Sequence, residues 1–313
     1  MSGRRPLPAD LKDVPAVVAE PWVRIDSDSA HPGVEGPAFD REGNLFVCRT
    51  PPPEIGGAEA KIIKITPDGN LSTVFRGGMP LGIAIHRDGR LFVTSPPGKL
   101  LELAPSGRLI RELTPCENTG DMPQLLDGIT FDYNGDLYYT DVQGGYLHPT
   151  GGVYRLTAES NYTNAEPFIT GIAGANGISI TEDGRLMWIT SSGENTLIRV
   201  ELTKDRQMPE PRAIRRIYTF NGIGHADTNR VDAAGNVYQA FMQDGRALVL
   251  DAFGNPLLNI LLPGRDEEKN LMSPNLVLKP GTNEGYLIAG GTDGNQVFRF
   301  EALAPAVKPF SHV

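Results

Sequence analysis

The pattern of apolar and polar positions is clearest in residues 126–141, where two short apolar strands flank a tight turn at Asn134–Gly135. Asn-Gly between alternating apolar residues is a strong signal for a β-hairpin, because both turn residues adopt positive φ readily. The same pattern recurs along the chain, the last copy more loosely. The turn glycines stand at positions 43, 89, 135, 184, 235 and 281, at intervals of 46, 46, 49, 51 and 46 residues. A period of this length, built from strands, predicts an all-β protein and a six-bladed β-propeller.

The residues ahead of the first repeat predict how the propeller closes. Residues 1 to about 15 have no strand pattern, whereas residues 17–25 read as an isolated strand. We expect this strand to become the outer one of the last blade, whose other strands end near residues 297–300, since that pairing protects edges that would otherwise be exposed. The unbroken repeat predicts a single domain over residues 1–313.

Composition and charge narrow the possible partners. The chain has 29 Lys and Arg against 38 Asp and Glu, a net charge of −9, which argues against a nucleic-acid surface and suits a site that attracts cations. The N-terminal basic residues precede no apolar run, and no segment approaches the length of a membrane span. We expect a soluble cytoplasmic protein that acts on a small molecule, with neither nucleic acid nor membrane as partner. The oligomeric state stays open.

Nucleophilic and nucleotide chemistry find little support in the sequence. No Gly-x-Ser-x-Gly elbow and no glycine-rich phosphate loop are present. The two cysteines, Cys48 and Cys116, lack metal-ligand spacing. Cys48 ends an apolar strand and is expected to be a buried thiol, although a disulfide stays open.

Oxygen-bearing residues recur at one position of the repeat. The residues eight positions before the turn glycines are Glu35, Leu81, Asp127, Asn176, Asp227 and Ser273. Equivalent positions in a radial repeat lie on a ring, so the carboxylates and the amide should converge at one end of the central channel. Buried carboxylates this close repel one another unless a cation or protons compensate. We favour a metal site; the alternative is that these residues merely cap the inner strands in a wet channel.

The donor set indicates the kind of cation. Carboxylate and amide oxygens suit hard cations, above all Ca²⁺, which accepts six to eight oxygens in irregular geometry. Mg²⁺, Mn²⁺ and Zn²⁺ are the alternatives, although zinc more usually recruits His or Cys. His225, two residues before Asp227, is expected to line a pocket or brace a loop, with metal ligation the less favoured role.

Three long connections do not fit the hairpin count, namely residues 50–57, 143–150 and 220–226. Insertions on a rigid scaffold commonly shape a pocket mouth. A plain surface loop is an equal alternative for the first connection. The aromatic and histidine side chains of the other two make Tyr146, His148 and His225 candidate substrate contacts.

A family resemblance rests on short motifs. Val-Glu-Gly-Pro at 34–37, Ala-Asn-Gly-Ile at 175–178 and Asp227 before a strand resemble the metal-binding motifs of the regucalcin–gluconolactonase (SMP-30-like) family. Residues 147–154 and 262–267 are similar to the staphylococcal drug-responsive lactonase branch. Members are six-bladed propellers that open lactones with a divalent cation in the channel. The resemblance spans nearly the whole chain.

The resemblance implies roles for individual residues. It makes Glu35, Asn176 and Asp227 metal ligands and adds Asp127 to the same acidic site. One departure concerns substrate: sugar lactonases of the family usually have Asn, a substrate contact, where this chain has Leu126. Leu126 therefore predicts contact with a less polar lactone or ester-like ring rather than an aldonolactone.

The leading functional hypothesis is a metal-dependent hydrolase that opens a lactone ring. The cation would polarise the ring carbonyl, water would attack, and a carboxylate would take the proton of the water. Asp227 is favoured as both ligand and base, with Asp127 orienting water or substrate, although the pattern leaves an exchange of these roles open. The alternatives are another ring-opening, hydration or carbon–carbon bond reaction in the same channel, and a non-catalytic calcium- or small-molecule-binding propeller.

Overall fold

The computed structural model describes residues 5–28, 33–50, 60–115, 125–205 and 208–313, and their regular structure is dominated by β-strands. The strands are β1 Ala16–Val18, β2 Glu20–Asp26, β3 Val34–Phe39, β4 Leu45–Arg49, β5 Lys61–Ile65, β6 Leu71–Arg76, β7 Ile83–Ile85, β8 Leu91–Ser95, β9 Lys99–Leu103, β10 Leu109–Leu113, β11 Leu126–Phe131, β12 Leu137–Asp141, β13 Gly151–Leu156, β14 Ala165–Ile172, β15 Ala175–Ile180, β16 Leu186–Ser191, β17 Thr196–Leu202, β18 Pro209–Thr219, β19 His225–Val231, β20 Val237–Met242, β21 Arg246–Leu250, β22 Pro256–Leu261, β23 Met272–Leu278, β24 Glu284–Gly291 and β25 Gly294–Glu301. Short 3₁₀ turns occupy Ala9–Leu11, Arg265–Glu267 and Phe310–His312. Within these ranges no helix has the length and apolar character needed to cross a membrane.

Four separate sheets contain four strands each, in consecutive order: β3–β6, β7–β10, β11–β14 and β15–β18. Neighbouring strands are antiparallel throughout, and each sheet starts with one of the predicted hairpins. All six turn glycines have positive φ, between 66° and 91°. A side chain with a Cβ is disfavoured there, which explains why glycine recurs at this position of the repeat.

The remaining strands form one nine-stranded sheet in the order β1-β22-β21-β20-β23-β24-β25-β2, with β19 also paired to β20. A single residue pair, Phe241 with Ser273, links β20 to β23. The prediction of an all-β, propeller-like fold is confirmed. The described strands form five hydrogen-bonded sheets, because the pair Phe241–Ser273 joins β19–β22 to β23–β25. The blade count of six stays a prediction.

The N-terminal segment contributes two strands to the nine-stranded sheet. β2 pairs antiparallel with β25, with Val23 opposite Val297. The sequence predicted one strand over residues 17–25, but the structure divides it: β1 pairs in parallel with β22 instead. At the break, the backbone N–H of Ala19 donates to the Leu261 carbonyl (2.9 Å), and Pro21 follows, which has no N–H to donate.

Apolar clusters fill the space between adjacent sheets. One of them joins Phe46 and Ile62 of the first sheet to Ile83 and Leu91 of the second. Cys48 lies in the same cluster as a free, buried thiol, as predicted, and burial raises its pKa well above the usual range. Cys116 lies outside the described residues. The aromatics of the strand positions are buried, consistent with core roles: Phe39, Phe46, Phe92, Phe131 and Tyr138.

The first strands of the repeats, β3, β7, β11, β15, β19 and β23, pack side by side in a closed order. This close approach depends on the glycine that follows each of four ring positions. A Cβ on any of these glycines would overlap a backbone carbonyl oxygen of the next repeat, in the pairs Gly36 with Leu81, Gly82 with Asp127, Gly128 with Asn176, and Gly177 with Asp227. Hydroxyls add a second link: Thr94 Oγ1 donates to the Asp127 carbonyl (2.7 Å), and Thr140 Oγ1 to the Asn176 carbonyl (2.5 Å). The backbone of the candidate site residues is therefore held by the neighbouring repeat.

Replacing Gly128 by Ala tests this packing. The added Cβ would overlap the Asn176 carbonyl oxygen and lie 2.9 Å from Thr140 Oγ1, so β11 and β15 must separate. We expect a loss of about 1–3 kcal/mol in the free energy of unfolding, measured by urea denaturation. The control is Gly145→Ala, where a Cβ would meet nothing within 4 Å. Equal stabilities of the two variants would contradict the packing described here.

Candidate metal centre

The candidate ligands stand near the start of their strands, where the strand pairing is irregular. The register shifts between Glu35 and Ala38 in β3, and across Asp127, Asn176 and Asp227 in β11, β15 and β19. An extra residue in one strand of a pair bends the chain and re-aims a side chain. The same irregularity therefore recurs at the candidate ligands of four inner strands.

The three carboxyl groups influence one another electrostatically. Burial, and then the charges of Asp227 and Asp127, raise the pKa of Glu35 well above its usual range. Burial and the Asp127 charge likewise raise the pKa of Asp227, against hydrogen bonds from Thr228 and Asn176. Burial raises the pKa of Asp127 to about 6, and the positive charge of Arg230 opposes this rise. The structure thus brings the predicted acidic residues into one electrostatic group.

Two asparagines bind the carboxylates and keep unpaired oxygens. Asn275 Nδ2 donates to Glu35 Oε2 (2.7 Å), and the Asn176 side chain hydrogen bonds to Asp227. The Oδ1 atoms of Asn176 and Asn275 are buried and have no hydrogen-bond partner among the described residues. A buried acceptor without a partner is costly, so these oxygens suit a cation or a bound donor.

The candidate metal site consists of oxygen donors. Across the described part of the chain, no group of three or more His, Cys, Asp or Glu side chains could hold an ion. The predicted set of Glu35, Asn176 and Asp227 contains two carboxylates and one amide. Its donors are all oxygen, and Asn176 Oδ1 lacks a partner, so the residues present fit a hard cation. Metal binding stays a prediction.

Sequence reasoning missed Asn275 and Arg230. Counting eight residues back from Gly281 selects Ser273, but the Ser273 hydroxyl donates to the Phe241 carbonyl (2.8 Å) and so links β23 to β20. Asn275 lies two residues further along β23 and reaches Glu35 instead. Asn275 does not stand at the repeat position that the offset selects, so the offset could not find it.

Leu126 was predicted to contact substrate, and the structure places it among apolar residues. Its side chain is fully buried in an apolar cluster with Ala84, Phe92 and Leu137. Neighbouring residues of a strand point to opposite faces, so Leu126 packs between sheets while Asp127 belongs to the acidic group. The contact of Leu126 with substrate stays a prediction.

The other predicted substrate contacts lie on exposed loops. Paired backbone hydrogen bonds between Gly145 and His148 (3.2 and 3.0 Å) form a tight turn, with Tyr146 75% exposed at its tip. His148 and His225 are also exposed. No contact in the structure joins Tyr146, His148 or His225 to the acidic group, so their substrate role stays a prediction. Residues 51–57 of the first connection lie outside the described residues.

The chain belongs to the family described as the SMP-30/gluconolactonase/LRE-like region, which matches residues 35–268. This range contains Glu35, Asp127, Asn176 and Asp227. The family resemblance inferred from short motifs is confirmed.

Individual relatives cover most of the chain. Lactonase drp35 of Staphylococcus haemolyticus is 32% identical over 305 residues, 93% of this chain and 90% of the relative. Regucalcin of Agrobacterium tumefaciens, a calcium-binding protein, has a solved structure with a TM-score of 0.70 at 14% identity, covering 94% of this chain and 98% of that one. A gluconolactonase of Xanthomonas campestris gives 0.67 at 15% identity, covering 96% and 99%. At these identities the two structures show the shared fold alone.

The raised pKa values predict how pH affects the stability of the metal-free protein. The pKa of Asp127 rises on folding from an ordinary value near 3.8 to about 6, so the folded state holds a proton that the unfolded state releases in this window. Stability therefore falls as pH rises through the window, and Glu35 and Asp227 act in the same direction. We expect a higher melting temperature near pH 5 than near pH 8 in chelator.

Substitution isolates the contribution of Asp127. Asp127→Asn should reduce the difference in melting temperature between the two pH values, since the amide does not titrate. The control, Asp68→Asn, replaces an exposed carboxylate and should keep the wild-type difference. An Asp127→Asn profile identical to that of the wild type would contradict the electrostatic coupling.

Proposed function

We propose that this protein is a divalent-metal-dependent lactonase. The observation that carries the proposal is one electrostatic group of three carboxylates, joined by an asparagine with an unpaired buried oxygen, in a member of a family that contains named lactonases. The group offers a cation a negatively charged, oxygen-lined environment.

The proposed ligands are Glu35, Asn176 and Asp227, and the preferred cation is Ca²⁺. Oxygen-only donors favour a hard cation, and regucalcin of A. tumefaciens is a calcium-binding protein of the same fold. When bound, the cation would polarise a ring carbonyl and stabilise the developing negative charge on its oxygen. Asn275 holds Glu35 by a hydrogen bond (2.7 Å) and so limits the positions that this carboxylate can adopt.

The carboxylates supply the proton transfers. A base takes one proton from water while the water oxygen bonds to the carbonyl carbon. The ring C–O bond then breaks, and the proton passes to the departing alkoxide, giving a hydroxy acid. We propose Asp227 as ligand and base, with Asp127 orienting the water or substrate. Asp127 is the second candidate for the base, because its pKa of about 6 lies near neutral pH.

The proposal also includes six blades. The nine-stranded sheet would represent two blades, β19–β22 with β1 and β23–β25 with β2, joined by the single pair Phe241–Ser273. The closed order of the six first strands supports this division. Six blades would arrange the acidic residues around one axis.

The substrate is proposed to enter past the exposed loops that carry Tyr146, His148 and His225. The loop with Tyr146 and His148 follows Asp141 of β12, which pairs with Leu126, the residue before Asp127. The other loop leads into β19, where His225 stands two residues before Asp227. These loops therefore lie at the same end of their sheets as the acidic group.

A hydrolysis screen with matched variants tests the proposal. Aliphatic, aromatic and sugar lactones should be compared with and without chelator, and activity should return when Ca²⁺ is added. Asp127→Asn, Asp227→Asn and Glu35→Gln should be assayed for turnover and metal content together. Loss of a base should lower turnover by at least about 10²-fold even when metal is loaded, whereas a pure ligand variant should recover as metal is raised.

The controls are Asp68→Asn and Glu182→Gln, which make the same chemical changes at exposed turns and should keep wild-type activity. If both site Asp→Asn variants stay active with metal bound, carboxylate-assisted hydrolysis is wrong. If chelated and metal-loaded proteins hydrolyse lactones equally well, the metal dependence is wrong.

A further inference from the structure

A cavity of about 130 Å³ lies along the inner strands, beyond the acidic group in the chain direction. Its walls are mainly apolar and include residues two to four positions after the ring positions, such as Phe39, Ile129 and Ile178. Residues 306–311 close one side: Tyr133 donates its hydroxyl to the Lys308 carbonyl (2.8 Å), and Gly281 its N–H to the Ala306 carbonyl (3.1 Å). The cavity is large enough for several waters or a small organic molecule.

Arg230 is the sole charged residue among the described residues that line this cavity. Its Nη1 donates to the Asn229 carbonyl (2.8 Å), and a guanidinium has five N–H donors. No carboxylate of the described chain lies within ion-pair distance of it; the Asp127 charge acts from further away. Burial lowers the pKa of Arg230 only to about 10, so the side chain stays charged at neutral pH. The apolar cavity therefore contains one positively charged side chain, Arg230, with N–H donors that remain available to a ligand.

Arg230 is displaced along its strand from Asp227, while its charge still acts on Asp127. It lies three residues after Asp227 on β19, which places the two Cα atoms roughly 10 Å apart at about 3.3 Å per residue. An anion bound to Arg230 would therefore be a different group from the carbonyl that reacts at the acidic group. The separation is comparable to the length of a small organic molecule.

We propose that Arg230 makes this cavity a carboxylate-binding subsite, so that the preferred substrates are lactones bearing a carboxylate several ångströms from the ring carbonyl. The inference rests on the proposed lactonase function for its substrate class. Guanidinium binds carboxylate through paired hydrogen bonds, and the apolar walls suit the carbon skeleton of such an acid. Phosphate shares the anionic chemistry but carries no apolar part to fill the cavity.

The first experiment compares two lactones with the same ring and side chain, one ending in a carboxylate and the other in its neutral amide. The ratio of their kcat/KM values should favour the acid in the wild type. Arg230→Met should lower this ratio by about 10- to 100-fold, the usual effect of losing a hydrogen bond to a charged group. Arg230→Lys should retain part of the preference. Arg76→Met, at an exposed strand end, should keep the wild-type ratio, and thermal melts will verify that each variant is folded.

The second experiment measures binding without catalysis. Chelated wild-type protein and Arg230→Met should be titrated calorimetrically with pentanoate and, separately, with inorganic phosphate. Pentanoate binding by the wild type but not by Arg230→Met would support the subsite, even if no lactone were hydrolysed. Absence of lactone hydrolysis would contradict only the proposed lactonase function. Equal kcat/KM ratios in wild type and Arg230→Met would overturn the subsite while leaving lactonase activity intact. Binding of phosphate but not pentanoate would also overturn it.

Discussion

The close approach of neighbouring inner strands is the constraint on which the rest of the structure depends. At the ring positions, glycines such as Gly82 and Gly128 face the backbone carbonyls of Asp127 and Asn176 with no room for a Cβ. Hydroxyls of the second strands, such as that of Thr140, bind the same carbonyls. Side chains that lie far apart in the sequence are therefore presented together. A wider spacing would place the same oxygens too far apart to act on one ligand.

This proximity carries an electrostatic cost. Burial and mutual repulsion raise the pKa values of Glu35 and Asp227, because each charged form is disfavoured when water is excluded and another negative charge is near. Hydrogen bonds from Asn275 and Asn176 offset part of the cost, and the charge of Arg230 favours the ionised form of Asp127. Such an arrangement destabilises the metal-free fold at neutral pH and favours any ligand that brings positive charge.

The sequence predicted the parts of the fold that depend on local chemistry. The period of the turn glycines located the hairpins because positive φ at each turn requires a residue without a Cβ, and the eight-residue offset located Glu35, Asp127 and Asp227. The sequence pattern did not reveal the features of the fold that depend on tertiary packing. Leu126 packs in an apolar cluster that the repeat pattern did not show, and Asn275 stands two residues beyond the repeat position in β23, so the offset passed over it. The parallel pairing of β1 with β22 has no local signal at all.

The central claim is that oxygens from separate inner strands act together on one cation. Isothermal titration of the chelated protein with Ca²⁺, in the wild type and in Asn176→Leu, tests it most directly. The substitution removes the amide whose buried oxygen lacks a partner while keeping a side chain of similar size. The account predicts one ion per chain in the wild type and a loss of affinity of at least about tenfold in the variant. No heat of binding in the wild type, or equal affinities in the two proteins, would contradict it.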